Sequence, residues 1–120
     1  MTKFIAKYDS EGDVLSIYTK GAKVKESVEV AETLVIDVDK NKKLVNLELF
    51  DAYKLLSLSN KKITKKMLES MDEVKLDVKR FRNYWIITMS FKYNEELITE
   101  QLPVFASTDF KSPLLASVSA

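Results

Sequence analysis

Neither histidine nor cysteine occurs among the 120 residues. Without an imidazole there is no Ser-His-Asp or Cys-His nucleophile system, because both use that ring as the general base near neutral pH. Without a thiol there are no disulfides, no thiolate catalysis and no iron–sulfur ligation, and zinc loses both of its usual ligand types. A metal site in such a chain is built from oxygen and suits Mg²⁺ or Ca²⁺. Glycine and proline occur only twice each, so no flexible linker marks a second domain, and neither a Gly-rich phosphate loop nor a dinucleotide fingerprint is present. An excess of one charge is missing too. The 19 Lys+Arg and 18 Asp+Glu leave a net charge of +1, which supplies no global field to draw in nucleic acid or anionic lipid. No apolar run approaches the roughly 18 residues of a membrane span, and no signal-peptide pattern opens the chain. These absences set the expectation of a cytoplasmic protein with no membrane association, no cofactor and no enzymatic activity.

What is present suffices for one folded domain. Hydrophobic residues make up 46% of the chain, and a chain of this length buries roughly two-thirds of its unfolded surface. Clusters of Asp, Asn, Ser and Lys separate short segments in which apolar residues recur at every second position, the period of a strand. Lys3 to Tyr8 runs into Asp9-Ser10-Glu11-Gly12-Asp13 and returns as Val14 to Thr19; further strands span about Val24 to Val30, Thr33 to Val38 and Leu44 to Phe50. Asp51 stands where a helix N-cap would, ahead of Ala52 to Leu56, and Ser59 or Asn60 offers a second start before an amphipathic helix over Ile63 to Met71. The period then returns to two through Val74, Leu76 and Val78, through Tyr84 to Tyr93 and through Leu97 to Val104. The expected fold class is α+β, a mostly antiparallel sheet with five N-terminal strands, one or two short helices and a C-terminal three-stranded meander. The expected organisation is a single domain over residues 1–105, made of 1–56, a helical connection at 57–72 and the meander at 73–105, followed by a Ser- and Ala-rich tail at 106–120.

Three groups of side chains are candidates for chemistry or binding. The carboxylates come in near-pairs, Asp9 with Asp13, Asp37 with Asp39 and Glu48 with Asp51. Asp9, Asp37, Asp39 and Glu48 would hold a hard cation if they converged, but at strand ends the same residue types bond their own backbone in turns, and the turn reading is preferred. Lys61, Lys62, Lys65 and Lys66, with Arg80 and Arg82 near Tyr84 and Trp85, are candidate nucleic-acid contacts, cations taking phosphates while an aromatic takes a base. A solvated helix face and a charged hairpin edge account for the same pattern. Phe110, Leu114 and Leu115 in the tail are candidate protein contacts, and an open antiparallel sheet leaves edges that favour self-association or strand addition. The expected partner is a second copy, giving a homodimer, or another protein.

Two stretches carry a more specific signal. Lys7-Tyr8-Asp9-Ser10-Glu11-Gly12-Asp13-Val14-Leu15-Ser16-Ile17-Tyr18, then Val35-Ile36-Asp37-Val38-Asp39 through Leu47-Glu48-Leu49-Phe50-Asp51-Ala52, resemble the family called domain of unknown function 2283. That family's pattern is a tyrosine–aspartate turn, a strand, an aspartate-rich hairpin, an apolar-Glu-apolar strand and a helix-opening aspartate–alanine, and here it covers about residues 1–56. The resemblance implies an antiparallel sheet with a trailing helix. It assigns no catalytic residue, and because some members are encoded beside small toxin-like proteins it implies a regulatory or antitoxin-like partner role. Ser16 stands where the family often has an aromatic, and Lys42 and Asn46 stand where it usually has glycine. The missing glycines lead one to expect a relaxed turn and a less close backbone approach.

Overall fold

Alternation of side chains about the pleat decides the architecture, because each segment has one apolar and one polar face. The computed structural model describes residues 2–102 and 105–106. The elements run β1 (Thr2–Asp9), β2 (Val14–Tyr18), β3 (Glu26–Ala31), β4 (Leu34–Val38), β5 (Leu44–Phe50), α1 (Ala52–Ser59), α2 (Lys65–Glu69), β6 (Glu73–Arg80), β7 (Tyr84–Tyr93), β8 (Glu96–Gln101) and β9 (Phe105–Ala106). All pairings are antiparallel, in the order β3-β4-β5-β2-β1-β6-β7-β8, and β9 follows β8 along the same side of β7. The α+β reading therefore holds, as one continuous sheet with a ninth, two-residue strand beyond the eight expected.

One face of that sheet is dry. Leu15 and Ile17, Leu34 and Ile36, Leu47 and Leu49, and Ile87 and Met89 are all at most 1% exposed, each worth about 1.5–3 kcal/mol for its burial. Val28 of β3 and Ile98 of β8 sit on opposite borders of the sheet yet belong to the same core cluster. Eight flat strands would hold those borders roughly 34 Å apart, so the sheet curls into a half-barrel around its apolar face. Ala52 and Leu56 of α1 and Met67 and Leu68 of α2 close the open side.

β1 joins the two halves of the sheet. Its residues Ile5 to Asp9 pair with β2, whereas Thr2 to Ile5 pair with β6. Only Ile5 has a ladder partner on both sides, and an additional bond from the Ala6 N–H to the Asp72 carbonyl (3.0 Å) extends the junction by one residue.

The helical expectations need correction. The first helix is the longer, eight residues against five, because Ile63 and Met71 reach the core from the turns that flank α2. Asn60 does not start a helix; it ends α1, its N–H bonded to the Leu56 carbonyl, and the cap of α2 is Thr64, whose Oγ1 accepts from the Met67 N–H at 3.1 Å. Asp51 makes no side-chain cap at all, since it occupies the left-handed region at φ 54° and ψ 38°. Nor is the β4–β5 turn relaxed by the absence of glycine: Lys42 itself adopts φ 61°. Asn46 fills its own position with two bonds, Oδ1 accepting from the Thr19 N–H at 3.2 Å and Nδ2 donating to Asp37 Oδ2 at 3.1 Å.

Candidate functional site

The tyrosine–aspartate motif converges on one point. The Tyr8 hydroxyl donates to Asp13 Oδ1 at 2.7 Å, and so does the Tyr53 N–H at the same distance; the Lys54 N–H reaches Asp13 Oδ2 at 3.4 Å and the Ala52 N–H reaches the Asp13 carbonyl at 3.1 Å. Three consecutive free N–H groups at the start of α1 are thus satisfied by a residue in the β1–β2 turn, and the capping role expected of Asp51 belongs to Asp13. Burial acts to raise the Asp13 carboxyl, but the bonds from Tyr8, Tyr53 and Lys54, with Lys65 nearby, outweigh it and hold it below the usual carboxylate range. The Tyr8 phenol is pushed well above its ordinary value, by burial first and then by its bond to the Asp13 carboxylate. A phenol held protonated and a carboxylate that takes three donors lock a helix onto a sheet. Gly12 completes the turn, because a Cβ there would lie 2.9 Å from Asp9 Oδ2.

The other acidic pairs do the work of turns. Asp9 Oδ1 accepts from the Glu11 N–H, and Asp39 Oδ1 accepts from the Asn41 and Lys43 N–H groups at 2.8 and 3.0 Å. The Lys43 bond is the main cause that holds the Asp39 carboxyl low, against partial desolvation. Glu48 and Asp37 lie on the outer face, directly across from Val35 and Asn46 respectively. Asp9 and Asp39 sit in turns at opposite ends of the sheet, since Val14 beside the first turn faces Phe50 while Tyr18 faces Asn46 near the second. Among the described residues no group of three or more Asp or Glu side chains is placed to hold a metal ion.

The basic candidates are also divided. Lys65 lies at the β1–β2 turn, its Nζ 3.4 Å from the Ser10 carbonyl and 5.8 Å from the Tyr53 ring centre. Arg80 lies at the other end. From Asp9 it is seven residue steps down β1 to Thr2, which faces Leu76, and four more down β6 to Arg80, a path on the order of 35 Å. Lys61, Lys62, Lys65 and Lys66 are exposed, but the fold sets Lys65 at the opposite end of the sheet from Arg80.

Exposed apolar groups mark two further places, of which the sequence reading named only Tyr84. Leu97 of β8 is 62% exposed at the free border of the sheet. Its neighbour Ile98 faces the core, so strict alternation was the available signal. At the β6–β7 hairpin the rings of Phe81 and Tyr84 stack with centroids 4.7 Å apart and 19° between planes, although both are exposed. The tail candidates Phe110, Leu114 and Leu115 lie outside the described residues. No helix among the described residues is long and apolar enough to cross a membrane.

Residues 6–52 match the family described as Protein of unknown function (DUF2283). The matched segment is Ala6 to Asp9 of β1, β2 to β5, and the first residue of α1. An uncharacterized protein of Methanocaldococcus jannaschii is 32% identical over 62 residues, which are 52% of this chain and 53% of that relative. The chain thus spans about half the length of the curated relative it matches. No solved structure matches it.

Proposed function

We propose that the chain is a non-catalytic interaction module that pairs with a second copy of itself through the free edge of β8, and that it serves as a regulatory partner protein, an antitoxin-like role among the possibilities its family resemblance implies. The observation that carries this reading is the state of that edge. The opposite border, β3, is blunted by a register shift between Glu29 and Ala31 and by the exposed Lys25 and Glu29, devices that oppose edge pairing. β8 pairs with β7 in unbroken register, carries no lysine or proline, and presents Leu97, Thr99 and Gln101 outward.

Charge supports an antiparallel pairing. Glu95 and Glu96 stand at the start of β8, while its far end leads to β9 beside Tyr84 and Trp85, next to Arg80. A two-fold pairing of β8 with its copy sets the acidic end of each subunit beside the basic end of the other. Size-exclusion chromatography with light scattering tests this. The full chain is expected to run as a dimer, and Leu97→Lys with Thr99→Lys, which places like charges face to face across the axis, is expected to run as a monomer. A monomeric wild-type protein at about 100 μM sinks the reading. Loss of the dimer in a chain ending at Ala106, with the β8 variant still dimeric, would move the interface to residues 110–115.

A further inference from the structure

The near-neutral total charge hides a segregation that only the topology reveals. Thr19 N–H bonds to the Val45 carbonyl and Lys25 N–H to the Val38 carbonyl, which places the loop after β2 beside the β4–β5 turn. Lys43 and Arg80 line one hollow of about 250 Å³ with Phe4 and Leu76, and the Asp39 carboxylate feels both cations. The curl of the sheet has therefore brought the β6–β7 hairpin over the β4–β5 turn. Residues 20–25 contribute three lysines to this end, residues 40–43 three more, and the hairpin Lys79, Arg80 and Arg82, all exposed. Against these nine stand Glu26, Asp37, Asp39 and Asp77. The opposite end holds Asp9, Glu11, Asp13, Glu32, Asp51, Glu95 and Glu96 against Lys54 and Lys65.

The hairpin adds what a merely basic surface lacks. The Phe81 N–H bonds to the Tyr84 carbonyl at 2.8 Å, which closes a tight turn. It projects two stacked rings, 45% and 40% exposed, in the midst of the cations. Arg80 lies over the Trp85 ring at 4.5 Å, so its guanidinium is held in place beside them. A stacked aromatic pair in water leaves an open π-face on which a further ring can lie, and an unpaired nucleobase supplies that ring while its phosphates meet the lysines. Bases in a duplex are already covered by their neighbours, and an acidic peptide offers charge without rings.

We propose that this end of the molecule binds single-stranded nucleic acid, with Phe81 and Tyr84 as the base-stacking platform and Lys40, Lys42, Lys43 and Lys79 as phosphate contacts. The site uses none of the Lys61–Lys66 cluster, whose Lys65 lies at the β1–β2 turn at the other end of the sheet. Stacking and phosphate contacts are common to both kinds of strand, so DNA and RNA are expected to bind alike.

Fluorescence anisotropy with labelled mixed-sequence 20-mers as single-stranded DNA, single-stranded RNA and duplex DNA tests the assignment on the full chain. Both single strands are expected to bind at about 50 mM salt and to bind more tightly than the duplex. Phe81→Ala with Tyr84→Ala is expected to weaken single-strand binding roughly 5- to 100-fold at fixed salt while leaving the salt dependence unchanged. Lys40→Glu and Lys79→Glu should each flatten the slope of log affinity against log salt by about 0.7. Lys61→Glu with Lys62→Glu should leave binding as it was. All these positions are exposed, and unchanged thermal unfolding of each variant confirms that binding alone is read. The proposal is overturned by absence of binding up to about 100 μM protein, by duplex or poly-glutamate competing as well as the single strand, or by loss of binding only in the Lys61 and Lys62 variant.

Discussion

Asp13 shows how a single side chain can organise segments far apart in the chain. Its carboxylate takes N–H groups 40 and 41 residues away and a phenol five residues away. Replacing it by Asn removes the charge and part of the acceptor capacity, and urea unfolding at pH 7 is expected to show a loss of about 1–2 kcal/mol, the size of a helix cap. The pH dependence has a definite sign. The folded-state carboxyl titrates below the unfolded value of 3.8, so its contribution is fully present above that value and is lost as pH falls through the folded one. The gap between wild type and Asp13→Asn should therefore begin to narrow as pH falls below about 3.8 and go on narrowing through the folded-state value. Lys42 gives the opposite case. At φ 61° it carries a left-handed strain that glycine does not, and Lys42→Gly is expected to stabilise by about 0.5–1 kcal/mol, the part left after glycine's extra freedom in the unfolded chain; the urea midpoint reads it.

At the scale of elements, β1 is the strand on which the fold depends most. Phe4 is buried directly across from Val74, in the stretch where β1 leaves β2 and takes up β6. Phe4→Ala should cost about 3–5 kcal/mol in denaturant unfolding, and native-state hydrogen exchange should show β6 to β8 losing protection first. The strands themselves were legible in the sequence, because period-two burial is written into segments such as Leu15-Ser16-Ile17 and Trp85 to Tyr93. The helix caps were not. A local rule selects Asp51, and nothing in the neighbouring residues reveals that this position turns left-handed while a distant turn supplies the cap. Likewise the length of α2 was overestimated, since Ile63 and Met71 bury themselves from turns with the spacing of a helix face.

The whole molecule is more polarised than its composition. Sequence reading located the dense run at Lys61 to Lys66, but the richer basic surface comes from three short segments that become neighbours only through antiparallel pairing and curl. The aromatic pair at its centre was half legible, with Tyr84 noted and Phe81 passed over because it sits in a turn. The junction at β1 has a further consequence. The residues of β1 that β6 pairs, Thr2 to Ile5, lie just outside the segment matched by the family, so without β6 that stretch of β1 would carry an unoccupied edge. Residues 51–72 act as a tether that delivers β6 to that edge at a high effective concentration. The C-terminal meander thus stands to the N-terminal unit as a bound strand-donating ligand does to its receptor, made permanent by covalent linkage.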